Sequence, residues 1–460
     1  MTAYTLSPSL PNQSFTDWTK TSLWAQGSAP DEPSAQVFLN ALPGSFYFVE
    51  EAQGESISIG SLFVPSNALV LYGSLTSAGT VSVGAAGAIE IYGGSLSAQS
   101  LILGGPAVPV SGVTGVGAIT IAGPVYDDSS IIGGNATNLS SQTALTVTAA
   151  YFQNNGLLEA SVDSTLTVAL THPGGFANYV SGTLVGGTYE VTTGGVLDLQ
   201  TNGLIYSLSA EVIYDGPPVA GVVNSYNPST ATYVSLEQTL SLVTPSGTLE
   251  LDAGSYSTSG MLTVAGDLHL VGEAQFSAGT LYITGNGHLD LTLAVPNGGQ
   301  EVSAGRVINN GAIFADGSGG GTALIDAPVL GNGTITIGPE VTVLNNQMQP
   351  VTTTATLELA GAVSNAIQFS DGTGTLILDS PAAVTGHFQN FQAGDKIELP
   401  SVALSAITSY AYANGVLTLH EGNTALHLAF AGSYSTADFS LEAGASGGTI
   451  LVGVAPPASA

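Results

Sequence analysis

Residues 249–291 read LELDAGSYSTSGMLTVAGDLHLVGEAQFSAGTLYITGNGHLDL and contain the same kind of triplet three times, with a polar residue between two leucines. The triplets begin at Leu249, Leu268 and Leu289, so they recur at an almost constant spacing. Sequence periods of about twenty residues or more are typical of stacked repeat architectures. We refer to one repeat as a lap and predict that the chain coils so that successive laps lie one above the other.

A second series of triplets lies between the members of the first. It begins at Leu262 and Leu281, which have the same spacing as Leu249 and Leu268. Earlier in the chain, triplets at Leu69 and Ile89 are separated by a similar interval. Two interleaved series with one period indicate that each lap supplies at least two short strands and two turns. A strand residue advances only ~3.3 Å, so a lap of this length would need much longer alternating runs to form a simple hairpin meander.

Composition supports a folded, non-membrane chain. The 460 residues include 60 Gly, with 44% hydrophobic and 8% charged residues, a balance that excludes simple disorder. No apolar run reaches the ~18 residues that a membrane-spanning helix needs. At ~150 residues per domain the length would suggest several domains, but a solenoid lengthens without splitting. We predict an all-β protein, a right-handed parallel β-helix (β-solenoid) with an N-terminal capping segment and a C-terminal β-hairpin region.

Basic residues are almost absent. Lys20, Arg306 and Lys396 stand against 33 acidic residues, for a net charge of −30. Nucleic-acid binding requires a basic surface, and binding to anionic lipid requires a polybasic patch, so both are excluded. An acidic surface suits a medium rich in Ca²⁺, whose preferred ligands are carboxylate and carbonyl oxygens. There is no cysteine, which excludes disulfides and thiol chemistry.

Three regions follow from the pattern. Residues 1–43 are irregular and rich in Pro, and we expect either a cap over the first lap or a segment that docks onto a neighbouring subunit by strand addition. Residues 44–380 carry the strand and turn rhythm of the solenoid. The rhythm breaks at 214–234, which is rich in Tyr, Pro and Asn, and such excursions often carry binding. Residues 381–460 form a C-terminal β region, in which the strand and turn pattern changes.

The C-terminal region resembles a known class of bacterial proteins. The segment Phe391-Gln-Ala-Gly-Asp-Lys-Ile-Glu-Leu399 and the terminal Gly447-Gly-Thr-Ile-Leu-Val452 are similar to the C-terminal region of surface proteins exported by type I secretion. The upstream laps resemble the strand-loop-strand passenger repeats of autotransporter-like adhesins. This resemblance implies export through an uncleaved C-terminal signal and a secreted, extracellular location at the bacterial cell surface. The calcium-binding nonapeptide of RTX proteins is missing, so any calcium would be bound singly.

Several side chains are candidates for metal binding. Asp371, Asp379, Asp395 and Glu398 cluster beside Gly turns, and we predict that they could bind one calcium ion. Asp127 and Asp128 form a second candidate loop. The six histidines form no pair with zinc-ligand spacing. His269 and His288, which have the spacing of Leu262 and Leu281, are expected to stack on adjacent laps.

The sequence does not favour catalysis. Glycoside hydrolysis needs two carboxylates ~5–9.5 Å apart, which Glu250 with Asp290, or Glu190 with Asp198, could supply on successive laps. In the triplets around Glu250 and Asp290, however, the acid takes the outward position of an alternating strand, where a polar residue is expected in any case. Arg306 stands alone as a basic residue in the solenoid region. We predict that the protein is not an enzyme.

Two classes of function remain. The first is a structural protein that self-assembles head to tail into filaments, a surface layer or a biofilm matrix, with contacts at Trp18, Trp24, Phe388 and Phe391. The second is a cell-adhesion protein that binds extracellular polysaccharide, or an enzyme that acts on it, using a face of the solenoid. Tyr72 and Tyr92, one repeat apart, should lie one above the other and, like Tyr282, could stack on sugars. We favour the structural class.

Overall fold

A computed structural model gives the structure of the chain, and its contacts divide it into two units, Met1–Thr239 and Leu240–Ala460. Each unit is described by itself. The structure describes residues 2–7, 15–40, 48–104, 112–134, 143–216, 221–292, 299–316, 321–338, 341–344, 350–353, 355–370, 374–444 and 447–454.

The strands of unit 1 are β1 (Ala3–Thr5), β2 (Phe15–Asp17), β3 (Gln36–Phe38), β4 (Phe48–Glu51), β5 (Ser56–Ile59), β6 (Ser61–Val64), β7 (Ala68–Leu71), β8 (Ser74–Ser77), β9 (Thr80–Val83), β10 (Ala88–Ala98), β11 (Ser100–Leu103), β12 (Gly112–Asp127), β13 (Ser130–Gly133), β14 (Thr143–Asn154), β15 (Leu157–Ala160), β16 (Ser164–Leu170), β17 (Tyr179–Val180), β18 (Thr183–Val191), β19 (Val196–Leu199), β20 (Ser207–Asp215), β21 (Val222–Asn227) and β22 (Thr232–Ser235). The unit also contains a 3₁₀ turn at Thr21–Leu23 and the short helix α1 (Leu236–Thr239).

The strands of unit 2 are β23 (Leu242–Val243), β24 (Thr248–Asp252), β25 (Ser255–Val264), β26 (Asp267–Val271), β27 (Gln275–Ile283), β28 (His288–Thr292), β29 (Gly299–Ala304), β30 (Val307–Asn309), β31 (Ala312–Asp316), β32 (Thr322–Asp326), β33 (Val329–Leu330), β34 (Thr334–Ile337), β35 (Val341–Leu344), β36 (Pro350–Thr353), β37 (Thr356–Leu359), β38 (Ala366–Phe369), β39 (Thr375–Leu378), β40 (His387–Gln389), β41 (Lys396–Ala403), β42 (Ile407–Ala413), β43 (Val416–Glu421), β44 (Thr424–Ala431), β45 (Phe439–Ala443) and β46 (Gly448–Gly453). Three 3₁₀ turns lie at Pro381–Ala383, Leu404–Ala406 and Thr436–Asp438.

Unit 1 is built from three stacks of parallel strands. The first stack contains β2, β4, β7, β10, β12, β13, β15, β18 and β20. The second contains β5, β8, β10, β12, β14, β16, β19 and β21. The third contains β1, β3, β6, β9, β11, β12 and β14. The long strands β10, β12 and β14 pass from one stack into the next, and register shifts in β10 and β12 mark these passages.

Unit 2 uses the same arrangement and ends in antiparallel strands. One parallel stack runs through β24, β26, β28, β31, β34, β38 and β40, and a second through β25, β27, β29, β32, β37, β39 and β41. β23, β25, β27, β30 and β33 form a third. Near the C-terminus, β42, β43 and β44 form antiparallel hairpins, and β46 pairs antiparallel with both β41 and β45.

The cores are columns of like side chains, because successive residues of a strand point to opposite faces. Leu249 pairs with Leu268 and Leu268 with Leu289, while Leu262 pairs with Leu281. All five leucines are fully buried. Each buried aliphatic side chain contributes about 1.5–3 kcal/mol, so these columns are a main source of stability. The predicted all-β parallel β-solenoid is confirmed. The predicted boundaries at residues 43 and 380 stay predictions.

Candidate functional site

The outward side chains of the first stack in unit 1 carry much of its acidity. Asp17 pairs with Glu50, and Val70 lies between Glu50 and Glu90 in the same column. Further along this stack, Glu159 pairs with another glutamate. Lys20 interacts electrostatically with Asp17, but the described members of these columns include no lysine or arginine. The carboxylates therefore repel an anionic partner at close range.

The second stack presents hydroxyl groups outward, and we call its surface the hydroxyl face. Its two central outward columns pair Ser56 with Ser74 and Ser58 with Thr76, and they continue through later strands. Ser95 Oγ donates a hydrogen bond to Ser74 Oγ at 3.0 Å, so some hydroxyls are linked along the column. The remaining hydroxyl-bearing members are Ser97, Thr120, Thr146, Thr148 and Thr167.

The third stack presents aromatic and aliphatic side chains in one outward column, whereas its other outward column carries polar residues such as Gln36, Ser61 and Ser100. Phe38, Phe63, Ile102 and Tyr126 share one outward column, with Ser82 between Phe63 and Ile102. Tyr151 stands in the adjacent outward column, with its ring centroid 5.8 Å from that of Tyr126. We call these five hydrophobic residues, without Ser82, the aromatic face.

Three members of the aromatic face are exposed, Phe38 and Phe63 are half-buried, and none of the five carries a charge. Ile102 and Tyr126 are each 39% exposed and Tyr151 is 36% exposed, although large apolar side chains are usually buried. Among the paired residues that the structure describes, neither of its outward columns contains a charged side chain. Unit 1 therefore presents the acidic columns, the hydroxyl face and the aromatic face on three different stacks, although one column of the hydroxyl face continues from Thr167 to Asp198.

A tyrosine pair extends the first stack. The rings of Tyr72 and Tyr92 are stacked with 5.3 Å between centroids and 20° between planes, which confirms the predicted vertical arrangement. Tyr92 also donates a hydrogen bond from its hydroxyl to Glu90 at 3.0 Å. The sugar-binding role of these rings stays a prediction, as does that of Tyr282, whose hydroxyl accepts a hydrogen bond from Asn310 at 3.3 Å.

Trp18 and Trp24 lie inside the N-terminal region rather than on its surface. They are 1% and 2% exposed, and their rings meet at 5.0 Å and 66°. Trp24 Nε1 donates to the carbonyl oxygen of Trp18 at 2.8 Å, and Trp18 Nε1 donates to Pro30 at 3.0 Å. This arrangement fits the alternative in which the segment caps the first laps. The contact role of both side chains with another copy stays a prediction.

Side chains also cover strand edges in this region. Gln26 Oε1 accepts a hydrogen bond from the backbone amide of Thr5 in β1 at 3.1 Å. Asp31 Oδ1 accepts one from the amide of Ser58 in β5 at 2.9 Å. Edge amides that are already satisfied, especially by a charged side chain, are poor templates for adding another strand.

Phe388 and Phe391 are likewise buried, at 0% and 3% exposure. Both pack against Phe430, with ring centroids 5.0 and 5.5 Å away, and Phe391 lies 6.0 Å from Phe439. Their side chains therefore join the C-terminal strands to the last parallel laps of unit 2. Their predicted role in contacts between copies is not tested by this packing and stays a prediction.

The structure describes three of the four calcium candidates. Asp371 lies outside the described residues. Asp395 is fully buried, where Oδ1 accepts from the amide of Gly374 at 3.1 Å and Oδ2 from that of Gln392 at 2.7 Å. Burial raises the pKa of this carboxyl to about 7. Within the described ranges, no three His, Asp or Glu side chains are grouped as metal ligands. Calcium binding with Asp379 and Glu398 stays a prediction.

Asp127 and Asp128, the second candidate loop, face different surroundings. Asp127 is fully buried, and its Oδ1 accepts a hydrogen bond from the amide of Ser129 at 3.0 Å. Its Oδ2 has no hydrogen-bond partner in the part of the chain that the structure describes. Burial raises the pKa of Asp127 to about 7. Asp128 is exposed and accepts a hydrogen bond from Asn155 Nδ2 at 2.7 Å.

The candidate carboxylates Glu250 and Asp290 are separated by a histidine. His269 lies between them in one outward column of unit 2. Its Nδ1 is 3.1 Å from Glu250 Oε2, and its Nε2 is 2.9 Å from Thr292 Oγ1. The hydrogen bond with Glu250 raises the pKa of His269, and burial raises that of Asp290.

Three sequence-based pairings are wrong. Glu250 and Asp290 do not lie on successive laps, because His269 lies between them. His269 does not stack on His288, because His288 pairs with Asp267 and His269 pairs with Asp290. The lap that follows His269 is longer than the one before it, whereas the expected pairing assumed equal laps. Glu190 and Asp198 do not lie on successive laps of one column either, since Glu190 belongs to the first stack of unit 1 and Asp198 to the second.

A cleft of ≈ 270 Å³ lies where the turns after β16, β19 and β21 project beside the hydroxyl face. Residues from each turn contribute to its wall, including His172, Gln200, Asn202, Tyr226 and Pro228. Tyr226 and Pro228 belong to the excursion noticed in the sequence, whereas the other members and the aromatic face carried no sequence signal. Clefts in unit 2 differ in containing carboxylates, with Asp379 and Glu421 in one and Glu301 in another.

No protein-family model, curated protein or solved structure matches this chain. In the described parts of the chain, none of the helices has the length and apolar character required to span a membrane.

Proposed function

We propose that this protein is a secreted, non-enzymatic structural protein that associates with further copies of itself in an extracellular matrix or on a bacterial cell surface. The observation that carries the proposal is the aromatic face, an exposed apolar surface in a chain with a net charge of −30. Contiguous exposed apolar surface marks interaction sites in soluble proteins. A repeated sheet surface offers several such side chains in one line.

Charge favours a second copy as the partner on this surface. Carboxylates of two copies repel each other wherever acidic columns approach, and only three basic residues per chain could relieve that repulsion. The aromatic face has no charged side chain in its described outward columns. Two such faces could meet with their acidic columns kept apart. At physiological ionic strength, salt would largely screen the remaining repulsion between acidic columns that stay more than about 8 Å apart.

The contact between copies would form at the aromatic face on the side of unit 1 rather than at the tryptophans. Trp18 and Trp24 are buried, and Gln26 and Asp31 satisfy edge amides of β1 and β5. Addition of a strand there would have to displace these hydrogen bonds. The proposed extracellular location rests on the resemblance of the C-terminal region to type I-secreted surface proteins. The proposed lack of catalysis rests on His269, which lies between the candidate acids and is hydrogen-bonded to Glu250 and Thr292.

The test is self-association measured by analytical ultracentrifugation and negative-stain microscopy. The double variant Ile102→Asp/Tyr126→Asp places two charges on the aromatic face, and Thr76→Asp/Thr120→Asp places two on the hydroxyl face as a matched control. We expect the wild type and the control to form oligomers or filaments. The first variant should weaken association by about tenfold or more. A monomeric wild type, or equal assembly by the first variant, would refute the proposal.

A further inference from the structure

The cleft beside the hydroxyl face combines polar groups and a tyrosine in a shape that suits a small ligand. Tyr226 and Pro228 form one part of the wall, and His172, Gln200 and Asn202 contribute nitrogen and oxygen atoms from two neighbouring turns. Its volume of ≈ 270 Å³ is close to the lower end of ligand-binding pockets. It is independent of the aromatic face, which lies on a different stack.

Hydrogen bonds within the turns leave donors for a ligand. Gln200 Oε1 accepts from the amide of Leu170 at 2.6 Å, and its Nε2 has no hydrogen-bond partner among the described residues. His172 Nδ1 is bonded to Thr171 Oγ1 at 2.9 Å, so its Nε2 remains for another contact. The side chain of Asn202 is exposed and can both donate and accept.

The tyrosine is held in place by the hairpin of β21 and β22. Tyr226 and Tyr233 face each other across this antiparallel pair, with ring centroids 5.4 Å apart and planes at 64°. The amide of Tyr226 donates to Thr201 Oγ1 at 3.1 Å, and buried Thr201 in turn donates to Gly203 at 2.7 Å. A fixed ring loses little conformational entropy when a ligand stacks on it.

The chemistry of the wall narrows the ligand class. Among the residues that the structure describes, the wall includes no Lys or Arg to pair with an anion and no Asp or Glu to pair with a cation. In a chain with 33 acidic residues, a wall free of carboxylates is a distinctive feature. Several polar side chains make it unsuited to a purely apolar ligand, because their groups would be buried without partners. A neutral ligand rich in hydroxyl groups, with an apolar ring face, satisfies all of these conditions.

We infer that the cleft binds a neutral sugar unit of a polysaccharide. The sugar's apolar face would pack on Tyr226, while its hydroxyls would exchange hydrogen bonds with His172, Gln200 and Asn202. Gln200 follows directly after the pair formed by Leu199 and Val168, and Tyr226 follows the pair of Leu199 with Ser225. The cleft is thus continuous with an outward column of the hydroxyl face, along which further sugar units of the same chain would lie.

The experiment is calorimetric titration of the full chain with neutral oligosaccharides of increasing length, after a screen of soluble glucans, galactans and mannans. Polygalacturonate serves as the anionic comparison. We expect at least one neutral glycan to bind, with affinity rising with chain length, and polygalacturonate to bind at least about tenfold more weakly. Absence of binding by every neutral glycan, or equal binding of polygalacturonate, would overturn the inference.

Variants locate the site. Tyr226→Ala and Asn202→Ala should each weaken binding by about tenfold or more, while Tyr206→Ala, which removes an exposed tyrosine that does not line the cleft, should leave it unchanged. Tyr226→Phe keeps the ring and should retain most of the affinity, which separates stacking from loss of the fold. Asn202 is exposed, so Asn202→Ala tests the cleft without disturbing the core. Unchanged binding by both alanine variants would place the sugar elsewhere and refute the assignment.

Discussion

The phenyl rings of Phe38 and Phe63 are stacked, with 4.8 Å between their centroids and 8° between their planes. This separation matches the ~4.7–4.9 Å distance between hydrogen-bonded strands, so the two rings repeat the spacing of the backbone. Each ring covers a face of the other and presents an edge toward solvent. The column continues through Ser82 to Ile102 and Tyr126, which makes the aromatic face a regular surface rather than a scatter of exposed side chains.

Self-association through this face should strengthen as salt is added. Raising ionic strength from 0.01 M to 0.15 M shortens the screening length from about 30 Å to about 8 Å and so weakens repulsion between two chains of −30. Burial of the apolar side chains is not weakened by this change. Sedimentation velocity at a series of NaCl concentrations checks the sign. Association that is lost on adding salt would instead indicate ion pairing at the interface.

Replacing Trp24 by Ala should cost about 3–5 kcal/mol of unfolding free energy, the usual range for a buried aromatic residue. The change removes ring contacts with Trp18 at 5.0 Å and Tyr4 at 6.3 Å, as well as the hydrogen bond to the Trp18 carbonyl. Urea denaturation followed by circular dichroism gives the value. Trp24→Phe keeps an aromatic ring and should lose less. A cost below about 1 kcal/mol for Trp24→Ala would contradict the capping arrangement.

The unfolding free energy should fall as the pH rises from about 4 to about 7. Burial raises the pKa of Glu51, Asp127 and Asp395 to about 7, above the ordinary values of 4.5 for Glu and 3.8 for Asp. Between these limits the folded state binds more protons than the unfolded state, so stability declines as pH rises and levels off above pH 7. The contribution of each such carboxyl is present in full at low pH.

Asp127→Asn isolates one of these contributions. Asparagine can still accept the hydrogen bond from the Ser129 amide but does not titrate. The slope of unfolding free energy against pH should therefore be smaller in the variant by up to about 1.4 kcal/mol per pH unit. Denaturant unfolding at several pH values measures the difference. Asp128→Asn changes an exposed acid in the same loop and should leave the slope close to that of the wild type. Equal slopes in both variants would rule out a raised pKa at Asp127.

Close approach between laps should make one glycine irreplaceable. A Cβ atom at Gly87 would overlap the carbonyl oxygen of Val64 on the preceding lap, so Gly87→Ala forces the backbone to move. We expect a loss of about 1–3 kcal/mol, as is usual for overpacking. Gly104 is the matched control, since among the described residues the atom nearest to its added Cβ would be Val83 O at 3.8 Å. Thermal or urea unfolding of the two variants should differ clearly, and similar stabilities would contradict the stacked geometry.

The sequence revealed those features that depend on one regular spacing. Leu249, Leu268 and Leu289 form the expected column. The residues between them complete one lap, and small differences in their number do not change this pairing. The same holds for Tyr72 and Tyr92. Repeated apolar triplets indicate a buried leucine column. The parallel solenoid could therefore be predicted without knowledge of the conformation of the turns.

The surfaces could not be predicted because laps differ in length. The chain between Phe38 and Phe63 is longer than the chain between Ser82 and Ile102, although both pairs are neighbours in the same column. Outward positions accept almost any residue, so no repeated triplet identifies the column. The false pairing of His269 with His288 has the same origin, since extra turn residues moved His269 beside Asp290. The cleft could not be predicted because its wall is formed by three turns that are distant in sequence. These turns lie side by side only because the laps stack.

The scarcity of basic residues has a consequence for resistance to proteolysis. A protease of trypsin type cleaves after lysine or arginine, and this chain offers it only Lys20, Arg306 and Lys396. All three side chains are exposed, yet the backbone at two of them is hydrogen-bonded to an adjacent lap, through the carbonyl of Arg306 to Leu281 and the amide of Lys396 to Gly374. Digestion at those two bonds would first require local strand separation. Long stretches of the polypeptide therefore contain no bond that such enzymes can cleave, and we expect the chain to resist proteases of that specificity.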